Sequence, residues 1–139
     1  MGFNSFLRTT DILHRALDVN SLRYTVTSNN LANSDVPNFK RTEVNFESEL
    51  KRAFDSEKNA KGAFQLATTH PLHIKSNEPI DYKTVEPVRV LDYLTTEDTN
   101  GNNVNPEDEA MKVLKIQMQY QLLSMMAGFQ YNQVQSVLK

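Results

Sequence analysis

Asn105-Pro106-Glu107-Asp108-Glu109 opens the longest segment of the chain that nothing interrupts. Asparagine is a preferred helix N-cap, proline suits the first helical position, and three acids sit at the positive end of the helix dipole. From there to Leu138 only Gly128 is a weak helix former. At 100° per residue the apolar side chains of this helix fall into two stripes on nearly opposite sides. Val113, Ile116, Tyr120, Leu123, Ala127, Tyr131, Val134 and Leu138 make one; Met111, Leu114, Met118, Leu122, Met125 and Phe129 make the other. Gln117, Gln121, Gln135 and Ser124 line one border, and Gln119, Gln130 and Gln133 the other. A helix that is apolar on two sides needs two partners, and this constrains the chain more than any other feature.

One partner is at hand. Between Thr9 and Asn33 there is neither Pro nor Gly, and Ile12, Ala16, Val19, Leu22 and Val26 recur at helical spacing, flanked by Leu13, Leu17, Tyr24 and Leu31. The helix is expected to stop where Asn33-Ser34-Asp35-Val36-Pro37-Asn38 gathers turn formers, since Pro37 pushes Val36 out of helical geometry. The middle is mixed. Phe46 to Phe54 reads as a short helix, and Phe64-Gln65-Leu66-Ala67-Thr68, Ile80/Tyr82 and Val88/Val90, among Pro71, Pro79 and Pro87, read as short extended segments. Glu97 to Asn103 reads as a turn or loop. The expected fold is mainly α: long N- and C-terminal helices packing as a coiled-coil or helical-tube core, with a small β-containing middle region. Residues 1–38 form the first assembly helix and its turn, 39–104 the middle region, and 105–139 the second assembly helix.

The second stripe has no evident partner in this scheme, apart from a monomeric four-element bundle in which the middle region covers it, or a homodimeric bundle. An exposed apolar stripe of this size marks an interaction surface. Glutamine borders suit it, because an uncharged amide bonds to a neighbouring helix without the cost of burying a charge. The candidate assembly surface therefore comprises Ile12, Val19, Leu22, Val26 and Leu31 from the first helix with Val113, Ile116, Tyr120, Leu123 and Val134, and the second stripe from Met111 to Phe129.

Other functions find little support. No charge occurs from Ile116 to Leu138, but six glutamines, Asn132 and two serines exclude stable membrane insertion. A formal net charge of −2 offers no footprint for nucleic acid. Without cysteine there are no disulfides, thiolate nucleophiles or thiolate metal sites. His70-x-x-His73 brackets Pro71 and suggests no third ligand, and His14 stands alone. Asp98, Asn100, Asn102 and Glu109 imitate positions 1, 3, 5 and 12 of a calcium loop, but Asn103 stands where glycine is needed and Pro106 starts a helix inside the loop. No nucleophile elbow, phosphate-binding loop or dinucleotide fingerprint occurs. The basic cluster Lys40-Arg41 with Lys51-Arg52 is offset by Glu43, Glu47, Glu49 and Asp55, as on a solvated mixed-charge face. No catalytic, cofactor-binding or metal-binding residues are expected, and the protein is expected not to be an enzyme. A calcium- or metal-responsive helical binding module is the reading from a different class.

Three blocks carry a resemblance. Ser28-Asn29-Asn30-Leu31-Ala32-Asn33-Ser34-Asp35-Val36-Pro37-Asn38-Phe39-Lys40-Arg41 resembles the run that closes the first helix of the bacterial flagellar axial proteins of the rod and hook class. Asn100-Gly101-Asn102-Asn103-Val104 with its acidic helix start, and Leu66 to Ile74, resemble the proximal-rod members of that class. Asn38-Phe39 stands where the class usually has Gly-Tyr, and Ile116 where it often has asparagine. The resemblance implies a non-enzymatic, self-assembling rod subunit that transmits motor torque, whose partners are other flagellar rod and basal-body proteins in a helical hetero-oligomer; another rod or hook junction subunit is the nearest alternative. It implies a family turn motif at Asn29, Asn30, Ala32, Asn33, Pro37 and Phe39. It implies passage through the flagellar type III export gate, read through Phe46 and Leu50, to a periplasmic rod. That route agrees with an N-terminus, Met1 to Phe6, in which no cleavable signal peptide is expected.

Overall fold

The computed structural model describes residues 2–62, 78–95 and 101–138. In chain order the elements are α1 (Gly2–Ala32), β1 (Thr42–Asn45), α2 (Glu47–Gly62), a 3-10 turn at Tyr82–Thr84, β2 (Val88–Leu91) and α3 (Pro106–Val137). Long N- and C-terminal helices pack together, with a two-stranded sheet between them in sequence. At ~1.5 Å per residue α1 and α3 are each roughly 47 Å long.

The chain forms two compact units, Met1–Val44 with Arg89–Lys139, and Asn45–Val88. Residues 39–44, 89–95 and 101–104 therefore group with the terminal helices. In the first unit α1 and α3 run antiparallel: Phe6 and His14 meet Tyr131, Asn20 meets Ile116, and Asn30 meets Glu109. The Asp92 N–H donates to the Arg41 carbonyl at 2.9 Å. Those residues stand just before β1 and just after β2, so the two strands are also antiparallel. In the second unit Phe46, Ala53 and Val85 are buried, the rings of Phe54 and Tyr82 lie 5.9 Å apart, and the Ser56 hydroxyl accepts the Ile80 N–H at 2.9 Å.

Three element boundaries depart from the sequence-based expectation. Helix α1 begins at Gly2 and not at Thr9, because Phe6 prolongs the apolar face and sets its ring edge-on against Tyr131 at 6.4 Å. Helix α2 runs on past Phe54 to Gly62, carried by good helix formers and a Glu57–Lys61 pair at 3.1 Å. Tyr82 lies in a 3-10 turn where an extended pair with Ile80 was expected, because the Asp81 carboxylate accepts the Lys83 N–H and caps the turn. Strand β1 carries only four residues, too few for its alternation to stand out. The expected strand at Phe64 to Thr68 and the pair His70/His73 lie outside the described residues, as do Asp98 and Asn100.

Asn38 and Gly101 hold positive φ, 60° and 82°. Glycine tolerates that region freely, and asparagine is among the few others that enter it. Asn38 thus adopts the backbone that the usual glycine of the resembling class would adopt. A Cβ at position 101 would lie 2.7 Å from Asn38 Oδ1 and would itself be strained by its φ. Gly101→Ala is expected to cost about 1–2 kcal/mol while Asn38→Gly is neutral or stabilising; urea denaturation checks both, and an unchanged midpoint for Gly101→Ala would contradict the assignment.

Candidate assembly interface

Glu109, Asn30, Asn102 and Asn103 are the largest fully buried side chains among the described residues, and all four are polar. A buried polar group is costly unless it is hydrogen-bonded, so their partners show what holds the helix pair together. Asn30, in the last turns of α1, donates from Nδ2 to the Thr42 carbonyl at 2.8 Å and to Glu109 Oε2 at 3.1 Å, and its Oδ1 accepts the Thr42 N–H at 3.1 Å. One amide thereby ties α1, β1 and α3. The other oxygen of Glu109 meets Lys112 Nζ at 2.6 Å. Glu109 reaches this position because α3 starts sharply: Asn105 Oδ1 accepts the N–H groups of Glu107 and Asp108 at 3.0 and 3.4 Å, with Pro106 in the first turn.

The loop before α3 closes the same corner. Asn102 Nδ2 reaches the carbonyls of Asn33, Ser34 and Val36, where α1 ends, and its Oδ1 accepts the Val104 N–H at 2.7 Å. Asn103 Oδ1 accepts the Arg41 N–H at 2.6 Å, and its Nδ2 donates to the Asp92 carbonyl at 2.9 Å and the Thr95 hydroxyl at 3.0 Å. Arg41 Nη2 and Asp92 Oδ2 pair at 3.2 Å. The Thr95 hydroxyl donates to Asp92 at 2.6 Å and holds that carboxyl below its ordinary pKa, with the Leu94 and Thr95 N–H groups and the Arg41 guanidinium acting in the same direction.

Of the three blocks that carry the resemblance, the first and the described part of the second, from Gly101 to Glu109, thus meet in space and form one clamp. In the turn motif Asn33 caps α1 by donating from Nδ2 to the Asn29 carbonyl at 2.7 Å. Phe39 is half-buried and donates its N–H to the Val36 carbonyl, whereas Ala32 and Pro37 are exposed. Midway along the pair, Asn20 Nδ2 donates to the Ile116 carbonyl at 2.9 Å. At the far end Tyr131 stacks on His14, with its hydroxyl 3.1 Å from the imidazole Nε2.

Packing against α1 occupies one stripe of α3. Ile116 and Ala127 are buried and Val113 and Leu123 half-buried, facing an α1 side where Val19 and Val26 are buried and Ile12, Leu22 and Leu31 half-buried. Tyr120, Tyr131, Val134 and Leu138 of that stripe stay exposed. The other stripe is exposed throughout: Met111, Leu114, Met118, Leu122, Met125 and Phe129 each keep more than half of their accessible surface. Phe46 is buried in the Asn45–Val88 unit and Leu50 is half-buried, its N–H bonded to the Phe46 carbonyl.

Sequence reasoning missed the polar side of α1 and the clamp. Leu13, Asn20 and Thr27 are buried and spaced by seven, with Asn30 one further turn on. That heptad was the signal available, hidden by its polar members. Asn102 and Glu109, two of the four calcium-like positions, are committed to hydrogen bonds within the clamp. Among the described residues no group of three or more His, Cys, Asp or Glu side chains is arranged to hold a metal ion, and none of the helices is long and apolar enough to cross a membrane.

The profile of a family described as flagella basal body rod protein matches residues 11–40, which end in the clamped turn. The flagellar basal body rod protein FlgB of Borreliella burgdorferi is 40% identical over 98% of this chain and 99% of its own length. FlgB of Borrelia hermsii is 37% identical over the same shares, and FlgB of Escherichia coli 28% identical over 81% and 80%.

Two outcomes follow from the clamp. Asn30→Ala strands part of a buried carboxylate and is expected to cost about 1–3 kcal/mol in urea denaturation. Asn30→Asp, which sets a second carboxylate against Glu109, costs more, and adding Glu109→Gln recovers part of that loss; an additive pair would contradict the contact. A carboxyl with a lowered pKa in the fold stabilises above its unfolded pKa, and that contribution is lost as pH falls through the folded value. Asp92→Asn is therefore expected to flatten the loss of stability below about pH 4 in thermal melts, and an unaltered acid limb would contradict it.

Proposed function

The chain belongs to the FlgB family of flagellar basal body rod proteins, a family of structural rod components, and on that premise we propose that its exposed α3 stripe is the surface through which it assembles in the rod. Supporting this is a single observation: the whole second apolar stripe faces outward, although α1 runs almost the full length of α3. Burying a large apolar side chain stabilises by roughly 1.5–3 kcal/mol, so six in a row give a neighbour a strong seat. The stripe lies on one side and the α1 contact on the other, so a neighbour that seats a different surface of its own on the stripe makes a heterologous contact that need not close. Contacts of this head-to-tail kind propagate a helical tube.

In this reading the partners are other rod and basal-body proteins, and the subunit belongs to the proximal, periplasmic part of the rod. The hairpin carries torque: two long antiparallel helices, held in register at one end by the Asn30–Glu109 clamp and at the other by the Tyr131–His14 pair, resist sliding when the tube is twisted. Export precedes folding. Phe46 is only 3% exposed in the folded chain, so an export gate that reads Phe46 and Leu50 meets them on an unfolded chain.

Leu122→Glu and Met118→Lys test the assembly surface in cells lacking their own copy of the chain. Each variant is expected to reduce incorporation into isolated basal bodies at least tenfold and to abolish swimming. The purified variants should keep their stability within about 0.5 kcal/mol, as substitutions at exposed positions do. Motile cells carrying either variant would show that the stripe is not an interface.

A further inference from the structure

We propose that the thioethers of Met111, Met118 and Met125 form an oxidation site that switches off the outer face of α3 in subunits not yet assembled; the proposal rests on the reading of that face as an assembly surface. The three methionines follow one another at a spacing of seven, which on an α-helix places them within an arc of ~40°. They are 67%, 64% and 66% exposed, and they alternate along the face with Leu114, Leu122 and Phe129. The oxidisable atoms of α3 are thus concentrated at the centre of its outward apolar surface. Met126 is turned toward the stripe's border and is less exposed, at 48%.

Methionine packs adaptably against varied partners because its side chain is unbranched and polarisable. The same sulfur is a nucleophile. With hydrogen peroxide its lone pair attacks one peroxide oxygen, the O–O bond breaks, and an S–O bond forms. The sulfur is oxidised by two electrons and the remaining peroxide oxygen leaves as water. The product sulfoxide is polar, chiral and reversible by reductases. Buried in an apolar contact, each new S=O loses its hydration among the aliphatic and aromatic side chains Leu114, Leu122 and Phe129 at the centre of the face, which offer it no donor. In the assembled state the neighbour covers the sulfurs, so the site is open only in free subunits.

The test uses the purified full chain, hydrogen peroxide as the oxidant, peptide mass spectrometry to place each added oxygen, and sedimentation velocity to follow self-association. One oxygen at each of Met111, Met118 and Met125 is expected to weaken association at least tenfold with the helical circular dichroism unchanged, and methionine sulfoxide reductases A and B together are expected to restore it. The association measured for the untreated triple variant Met111→Leu/Met118→Leu/Met125→Leu should be the same after peroxide, because the thioethers that peroxide oxidises are gone. Oxidised chain that associates undiminished, or a triple variant that loses association on peroxide treatment, overturns the proposal. Leu122→Glu separates the two readings. If it abolishes association while peroxide has no effect, the methionine proposal fails alone. If it leaves association intact, the assembly-surface reading fails.

Discussion

The carboxamide of Asn30 is where the two ends of the chain are joined. Its three hydrogen bonds reach the backbone of Thr42 on both sides and the buried carboxylate of Glu109. Each alternative registry of α3 on α1 would take the Asn30 amide from Glu109 Oε2 and leave only the Lys112 contact on the other oxygen, and a buried acceptor left unsatisfied costs more than the net gain of an ordinary hydrogen bond. An apolar seam tolerates sliding because one aliphatic contact resembles the next, whereas a buried amide and carboxylate do not. Asn102 and Asn103 extend this logic to the loop, where they satisfy the carbonyls left open as α1 ends and hold the start of β1 against Asp92.

With register fixed at that corner, the orientation of α3 follows along its whole length. Ile116 and Ala127 turn inward to α1, and a helix with apolar residues on two sides must then present the second set outward. The glutamines at the borders carry no charge that would repel or desolvate expensively beside a neighbouring helix. The proposed assembly surface depends on this geometry: a subunit that covered both stripes with its own chain would leave a neighbour nothing apolar to dock on.

How much of this was legible beforehand differs by element. Helix α3 was readable from its cap to its end, because Asn105, Pro106 and the three acids act locally and the stripes follow from periodicity alone. The exposure of Met111 through Phe129 also followed, since counting partners for two stripes requires no coordinates. The clamp was not legible. Asn30, Asn102, Asn103 and Glu109 look like turn and surface residues in isolation, and their value arises only when segments some seventy to eighty positions apart converge. The N-terminal extension of α1 to Gly2 was missed for the same reason, because it depends on the Tyr131 ring and not on local propensity. The positive φ of Asn38 explains why asparagine serves where a glycine is usual, a substitution that spacing alone leaves ambiguous.

The central claim is that α3 lies between its own α1 on one side and another subunit on the other. A density map of the intact basal body at side-chain detail tests this most directly. The account predicts that the sulfurs of Met111, Met118 and Met125 sit at van der Waals distance, about 4 Å, from apolar side chains of a neighbouring subunit while Asn30 still meets Glu109 within its own chain. A map in which that face of α3 is bare to solvent, or is covered by residues of the same chain, would contradict it.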